Sequence, residues 1–165
     1  MERLPIMMAP ILSFLAEEVY SYKPEDKRKE SVFLENFPTP EASWNQADLL
    51  NKFDQLIEIR SEVSKVLEPM RKDKIIGASI DAEVTITGKA EVIQLLESYR
   101  DQKQHDALAE LFIVSKVTLE TKDQDLSVSA VRSTGEKCPR CWLYTEKLVN
   151  IKNYVGVCGK CEEAL

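Results

Sequence analysis

Hydrophobic positions among the first twenty residues recur at helical spacing and predict an amphipathic helix. The apolar face comprises Leu4, Met7, Met8, Ile11, Leu12, Leu15, Val19 and Tyr20, and Glu17 and Glu18 lie on the polar side. Pro10 falls inside this pattern, where it is expected to kink the helix. So much apolar surface has no partner nearby in the sequence. We therefore expect the segment to be part of a larger helical bundle and the chain to be a fragment.

A charged and proline-punctuated stretch, residues 21–44, follows this helix and is typical of a connector that crosses a surface. Its apolar residues Val32, Phe33, Leu34 and Phe37 are expected to fix the crossing to a core. Residues 45–74 then return to helical spacing and predict one long helix that Pro69 ends or bends. The apolar positions of this helix are Leu49, Leu50, Phe53, Leu56, Ile57, Val63, Val66, Leu67 and Met70.

Alternation replaces the helical period after Gly77. Ile80, Ala82, Val84 and Ile86 alternate with polar residues and predict a strand with one face in solvent. Residues 90–99 and 105–111 predict short helices, and 112–119 and 126–131 predict further strands. The predicted fold class is α+β, with helices of a truncated bundle, a small sheet of about three strands and a C-terminal module. The predicted domains are the bundle end with its connector (1–44), an α+β junction (45–132) and the module (133–165).

The composition is that of an ordinary globular protein and limits the classes of function. The 165 residues are 44% hydrophobic and 30% charged, and no apolar run approaches the roughly 20 residues that a membrane span needs. We expect a cytoplasmic protein that has no membrane partner. The net charge of −6 argues against non-specific attraction to a polyanion, so any contact with nucleic acid must be local.

Four cysteines in two matched pairs are the most specific feature of the chain. Cys138 and Cys141 form one Cys-X-X-Cys motif, Cys158 and Cys161 form another, and sixteen residues separate the pairs. This spacing predicts a closed four-thiolate site that holds one structural Zn²⁺ in a ribbon-like module with a short hairpin between the pairs. Gly159 is expected to supply a left-handed turn. Two disulfides, a catalytic dithiol and a rubredoxin-like iron site are the alternatives.

No catalytic constellation accompanies these cysteines, and no catalytic residue is predicted. The only histidine, His105, lies among polar residues and is interpreted as a surface residue. The adjacent carboxylates Glu17 and Glu18 diverge on a helix and are interpreted as solvated. Trp142, next to a cysteine, either shields the metal or stacks on an exposed base.

Several segments, taken in order, resemble the C-terminal region of bacterial isoleucyl-tRNA synthetases, which are class I aminoacyl-tRNA synthetases. Residues 8–20 look like the last helix of the anticodon-binding bundle, and residues 31–38 look like the connector that follows it. Residues 60–82 resemble the next helix and strand. Cys138-Pro-Arg-Cys141-Trp142, together with Cys158-Gly-Lys-Cys161, is similar to the C-terminal zinc module of this family. Leu15 and Tyr20 depart from the usual threonine and tryptophan but keep the apolar face.

The resemblance implies a fragment that binds the anticodon stem-loop of the tRNA accepting isoleucine. Its parent joins isoleucine to that tRNA with ATP, at a catalytic site outside this sequence. The implied partners are this tRNA and the rest of the synthetase chain, and a monomer is expected. The tRNA contacts that it suggests are Lys137, Arg140, Trp142 and Lys160. The alternative hypothesis is a zinc-stapled protein-interaction module that does not bind nucleic acid.

Overall fold

The structure, a computed structural model, describes residues 3–100 and 106–165 and divides into two compact units, Met1–Ala47 and Asp48–Leu165. The helices are α1 (Leu4–Met8), α2 (Ser13–Ser21), α3 (Ala47–Lys72), α4 (Ala90–Arg100), α5 (Ala107–Phe112) and α6 (Gly159–Glu163). The strands are β1 (Ala82–Gly88), β2 (Lys116–Thr121), β3 (Ser127–Arg132), β4 (Glu136–Lys137), β5 (Tyr144–Thr145), β6 (Val149–Ile151) and β7 (Tyr154–Val157). Within the described ranges, no helix is both long and apolar enough to cross a membrane.

The N-terminal unit begins with two short helices where the sequence predicts one kinked helix. The chain breaks between α1 and α2, around Pro10, which has no N–H to continue the helical ladder. The N–H of Leu12 donates to the Met8 carbonyl at 2.8 Å, and Ser13 Oγ donates to the Ala9 carbonyl at 3.1 Å. These bonds satisfy the Met8 and Ala9 carbonyls, and Pro10 therefore marks a break between two helices rather than the predicted kink in one.

Glu17 holds the connector against α2, and this corrects its interpretation as a solvated side chain. Glu17 Oε2 accepts hydrogen bonds from Ser31 Oγ and from the N–H of Val32, both at 2.9 Å. Val32 is buried and packs with Ala16 and Tyr20. Of the four apolar connector residues expected to reach a core, only Val32 does so, because Phe33, Leu34 and Phe37 are exposed. Hydrogen bonds to Glu17 therefore hold the connector in place of much of the predicted apolar contact.

Tyr20 is the polar centre of this small cluster. Its side chain is 1% exposed, and its hydroxyl donates to Glu35 and accepts from the N–H of Lys29. Burial and the bond to Glu35 raise the pKa of Tyr20, and the same bond lowers the pKa of Glu35. The hydroxyl thus gives the connector a second polar anchor beside Glu17.

The apolar face predicted for residues 4–20 is largely in solvent. Its exposed members are Leu4, Met7, Ile11, Leu12, Leu15 and Val19, and Phe14 beside them is 93% exposed. Among the described residues of this unit, the buried hydrophobic cluster consists of Ala9, Ala16, Tyr20 and Val32.

Helix α3 carries a buried face only along its C-terminal two-thirds. Leu56, Ile59, Val63 and Leu67 are buried at i, i+3, i+7 and i+11, as one face of a helix requires. The predicted apolar residues at Leu49, Leu50, Phe53 and Ile57 are exposed instead. The helix continues past Pro69 and ends at Lys72, so Pro69 does not end it, which was one of the two effects predicted for this proline.

A three-stranded sheet in the order β2-β1-β3 forms the centre of the C-terminal unit. Strand β1 pairs in parallel with β2, where Val84 faces Val117, and antiparallel with β3, where Val84 faces Ala130. The crossover from β1 to β2 contains α4 and α5, as a parallel connection requires. The prediction of a small sheet and short helices is confirmed, although His105 lies outside the described residues.

The strand predicted from Phe112 begins four residues later, at Lys116. Phe112 is instead the last residue of α5, and Ile113 closes that helix in the left-handed region at φ 58°. The apolar run after α5 gave no sequence signal of this cap, because neither glycine nor asparagine occupies it. Residues of α3, α4, α5 and the sheet then share one hydrophobic core.

Candidate metal centre

The first cysteine pair lies in a tight turn between β4 and β5, which we call the first knuckle (Cys138–Cys141). The N–H of Cys138 donates to the Leu143 carbonyl and the N–H of Trp142 donates to the Cys138 carbonyl, both at 2.9 Å. Trp142 takes the left-handed conformation, φ 67°, that lets the chain leave this turn. At Gly135 the chain passes so close to β5 that an added Cβ would lie 2.6 Å from the Thr145 carbonyl oxygen.

The second pair, the second knuckle (Cys158–Cys161), lies at the start of a short helix. Cys158 is the residue before α6, and its carbonyl accepts the N–H of Glu162 at 2.9 Å. Gly159 is therefore the first residue of a helix rather than a left-handed turn, which corrects the sequence prediction. An added Cβ at Gly159 would meet no atom within 4 Å. The left-handed glycine of this module is Gly156, at φ +69°, in strand β7.

A hairpin of β6 and β7 connects the two knuckles, as the sixteen-residue spacing predicts. Val149 pairs with Val157 and Ile151 with Tyr154, with an irregularity in register between them. Asn150 Oδ1 accepts the N–H of Gly156 at 2.8 Å across this irregularity. The hairpin places Val157 at the base of the second knuckle, where it is buried beside the sulfurs.

The two knuckles bring all four cysteine sulfurs into one cluster. The Sγ atoms of Cys138, Cys141, Cys158 and Cys161 all lie within 4.8 Å of one another. Two of the separations are 3.4 Å (Cys141 to Cys158) and 3.9 Å (Cys138 to Cys161). A tetrahedron with zinc–sulfur bonds of about 2.3 Å has sulfur–sulfur edges of about 3.8 Å. The donor set and its dimensions therefore fit a zinc ion that would complete the fold of the module.

Backbone amides prepare Cys138 to be a thiolate. Burial raises the pKa of this thiol, but N–H groups from Cys141, Cys158 and Arg140 outweigh burial and lower the pKa to about 6. One of these donations, from the N–H of Cys158 to Cys138 Sγ, spans 3.4 Å. Burial raises the pKa of Cys141 to about 12 and also raises the pKa of Cys158. Metal ions bind the deprotonated form of cysteine, so a bound cation would offset the cost of burying further thiolates in this cluster.

The four residues suggested as tRNA contacts differ in how available they are. Trp142 is 64% exposed, and Arg140 is exposed while Nη1 donates to the Cys161 carbonyl at 3.3 Å. Lys137 lies 3.7 Å from Asp81 and over the ring of Tyr144. Lys160 donates to Glu110 at 2.5 Å, and this bond raises its pKa. The two lysines thus contact the α+β region, whereas Trp142 is exposed and Arg140 is exposed but bonded to the second knuckle.

Three residues that the sequence interpretation did not single out, Ser115, Asp81 and Glu110, join the metal module to the α+β region. Ser115 Oγ donates to the Ile80 carbonyl at 2.6 Å and accepts the N–H of Tyr144 at 2.8 Å. Asp81 accepts N–H bonds from Gly77 and Ala78, both at 3.0 Å, and is the partner of Lys137. Glu110 of α5 holds Lys160 of α6. Asp81 and Glu110 have ordinary polar positions in the sequence, so only the fold reveals their role.

The fold and the four-cysteine site together define an α+β protein with a C-terminal module of zinc-finger type. Residues 135–164 match the family described as the zinc finger found in FPG and IleRS, and residues 1–86 match the anticodon-binding domain of tRNA ligase. Because the second match covers more than half of the chain, the chain belongs to the anticodon-binding domain family of tRNA ligases. The match ends inside β1, so it includes the N-terminal unit and all of α3.

Similarity to individual proteins runs along nearly the whole chain. This chain is 41% identical to the isoleucine–tRNA ligase of Thermotoga petrophila over 94% of the length of this chain. It is also 41% identical to the isoleucine–tRNA ligase of Syntrophotalea carbinolica over 96%. Identity to the isoleucine–tRNA ligase of Histophilus somni is 35% over 98%. The aligned region is 17–18% of each relative, so the chain spans about a sixth of their length. The resemblance drawn from the sequence is confirmed.

Proposed function

We propose that this chain is the C-terminal, tRNA-binding part of an isoleucine–tRNA ligase and that it binds the anticodon stem-loop of the tRNA accepting isoleucine. The observation that carries this proposal is the occurrence of two matches in one chain, an anticodon-binding domain over residues 1–86 and an IleRS-type zinc finger over residues 135–164. Under this proposal the domains are the end of the anticodon-binding bundle (1–44), the α+β junction (45–132) and the zinc module (133–165).

The zinc module is proposed to contact the anticodon loop through Trp142 and Arg140. Trp142 is held in a fixed left-handed turn with most of its ring in solvent, which suits a platform for an unstacked base. Arg140 offers a guanidinium two residues away. Lys137 and Lys160 are proposed to add weaker phosphate contacts, because each is already engaged with a carboxylate of this chain.

The chemistry of aminoacylation is proposed to lie in the rest of the parent chain. That parent would join isoleucine to ATP, release AMP and transfer the aminoacyl group to tRNA. In this chain, Cys138, Cys141, Cys158 and Cys161 are proposed to hold one Zn²⁺ that has a structural role, since four thiolates leave no open coordination position. A monomer in the cytoplasm completes the proposal.

Trp142→Ala tests the platform directly. Fluorescence anisotropy with isoleucine-accepting tRNA and an unrelated tRNA should give salt-dependent binding that prefers the first. Loss of one stacking contact, worth about 1–3 kcal/mol, should weaken that binding roughly 5- to 150-fold while the zinc content stays unchanged. Tyr154→Ala is the matched control, because Tyr154 is also an exposed aromatic residue of the zinc module but lies in β7, outside the proposed contacts.

Unchanged affinity in a zinc-loaded Trp142→Ala protein would eliminate the platform role. Absence of any salt-dependent binding by folded, zinc-loaded protein would contradict tRNA binding by this chain and support the protein-interaction module instead. Repeating the measurement on the longer parent chain then shows whether the missing affinity comes from the rest of the synthetase.

A further inference from the structure

One edge of the metal centre opens onto a cavity, whereas the other edge is closed. The cavity has a volume of about 590 Å³ and lies between α5 and α6. Its walls include Cys141 and Cys158 together with Ala109, Ile113, Gly159 and Lys160. Cys138 and Cys161 do not line it, and of the two cysteines that do, Cys141 is partly buried and Cys158 is 5% exposed. The four cysteines, equal in the sequence pattern, therefore differ in whether they border this cavity.

The two sulfurs beside the cavity are also neighbours. Cys141 Sγ and Cys158 Sγ lie 3.4 Å apart and come from different knuckles. Cys141 is the one cysteine of the four that is only partly buried. A small reagent that enters the cavity therefore meets a pair of adjacent sulfur nucleophiles before it meets Cys138 or Cys161.

We propose that Cys141 and Cys158 are a peroxide-sensitive pair and that their oxidation to a disulfide releases zinc from the module. The proposal requires the metal centre but does not depend on tRNA binding. In the first step a thiolate sulfur attacks one oxygen of hydrogen peroxide, the O–O bond breaks, and hydroxide leaves to give a sulfenic acid. The second thiolate attacks that sulfur, an S–S bond forms, and a second hydroxide leaves. Two cysteines lose two electrons and the peroxide gains them.

Release of the ion follows from the number of remaining ligands. The disulfide removes two of the four thiolates, and two thiolates alone do not complete a structural zinc site. The disulfide takes one cysteine from each knuckle. The oxidised chain therefore keeps one thiol in each, Cys138 in the first knuckle and Cys161 in the second. Reduction of the disulfide restores all four ligands, so the loss of zinc should be reversible when zinc and a dithiol are supplied together.

Gly159 gives a way to narrow the cavity without disturbing the core. It lines the cavity as the first residue of α6, and a Cβ placed there meets no atom within 4 Å. The side chain of Gly159→Leu should therefore extend into this space and shield both sulfurs. Ala164→Leu is the matched control, because Ala164 closes the same helix and is exposed, but does not line the cavity.

The experiment treats the zinc-loaded chain with hydrogen peroxide, follows zinc release with a colorimetric chelator and maps disulfides by peptide mass spectrometry. The first disulfide should join Cys141 to Cys158 and should form in step with zinc release. Gly159→Leu should slow both processes several-fold, whereas Ala164→Leu should match the unmodified chain. Equilibrium zinc affinity is measured for each variant beforehand, so that a weakened site is distinguished from a shielded one.

Two results would overturn the proposal. One is a first disulfide confined to a single knuckle or containing Cys138 or Cys161. The other is an equal rate of zinc release in Gly159→Leu and in the unmodified chain when their zinc affinities are equal. The disulfide map of the unmodified chain decides the first point even if the leucine variant folds poorly.

Discussion

The α+β region and the metal module of the C-terminal unit are held together by different means. Fifteen buried residues, nearly all aliphatic, form the α+β core around α3, α4, α5 and the sheet. The buried cluster of the metal module contains four residues, and three of them are cysteines of the proposed metal site. Apolar burial thus specifies the first region, whereas the second has too little apolar surface to order itself. The comparison separates a region that folds by its own core from one that needs an ion.

Removing the metal should produce the largest difference between the two regions. Structural zinc contributes about 10–16 kcal/mol in small finger peptides, so chelation or Cys138→Ser should disorder residues 133–165 while the sheet persists. Two-dimensional amide NMR should show the peaks of the module collapsing and those of β1–β3 remaining. Returning zinc to the chelated protein is the control and should restore the module. A module that keeps its dispersed peaks without metal would break the comparison.

A cavity made in the apolar core should destabilise the α+β region and leave the metal site unchanged. Leu96 is 0% exposed, and Leu96→Ala should lower the free energy of unfolding by about 2–5 kcal/mol. Urea denaturation measures this loss, and zinc stoichiometry should stay unchanged. Leu50→Ala is the matched control, because Leu50 is 57% exposed and its truncation should cost less than about 0.5 kcal/mol. Equal costs for the two variants would show that α3 and α4 do not pack as described.

The smallest effect is expected at Asp81, where the two regions meet. The N–H of Ala78 lowers the pKa of Asp81 despite burial, and the N–H of Gly77 and the charge of Lys137 lower it further. The folded pKa therefore lies below the unfolded value of 3.8, so the stabilisation is complete above that value and is lost as the pH falls through the lowered pKa. Asp81→Ala should cost about 1–3 kcal/mol at neutral pH.

Urea denaturation of the unmodified chain and of Asp81→Ala between pH 7 and pH 3 measures this contribution. The difference in unfolding free energy should be constant down to about pH 4 and shrink below it. Ser127→Ala is a suitable control, because Ser127 is exposed on β3. A difference that grows as the pH falls would mean that Asp81 is destabilising as an anion.

The sequence predicted the elements of the α+β region and the metal module because periodic burial and cysteine spacing are local signals. The alternation from Ile80 to Ile86 indicated a strand, and the two Cys-X-X-Cys motifs identified the knuckles. The strand β1 begins two residues later, at Ala82, and the face predicted to lie in solvent is at least partly buried. The parallel pairing of β1 with β2 was not predicted, since strand order depends on the crossover rather than on either strand.

Conformations set by tertiary contacts escaped sequence analysis. The sequence indicated a left-handed Gly159, whereas the left-handed residues of the metal module are Trp142, Lys152 and Gly156. Trp142 and Lys152 are residue types that rarely adopt this conformation. The contacts of Ser115 and Asp81 escaped notice for a related reason, because each joins segments that are distant in the chain. Apolar residues at Leu49, Leu50 and Phe53 were predicted as core from helical spacing, yet spacing cannot tell which part of a long helix has a neighbour.

The contacts of Ser115 also set an order of assembly. Ser115 lies just before β2 and accepts the N–H of Tyr144 across 29 residues, whereas Lys160 reaches Glu110 across 50. The outermost cysteines are separated by only 23 residues, so closing the knuckles around an ion requires a shorter loop than joining the module to the sheet. During refolding of the complete chain we therefore expect the finger to close around its ion before it joins the sheet. It should then dock as a preformed body once β2 has paired with β1.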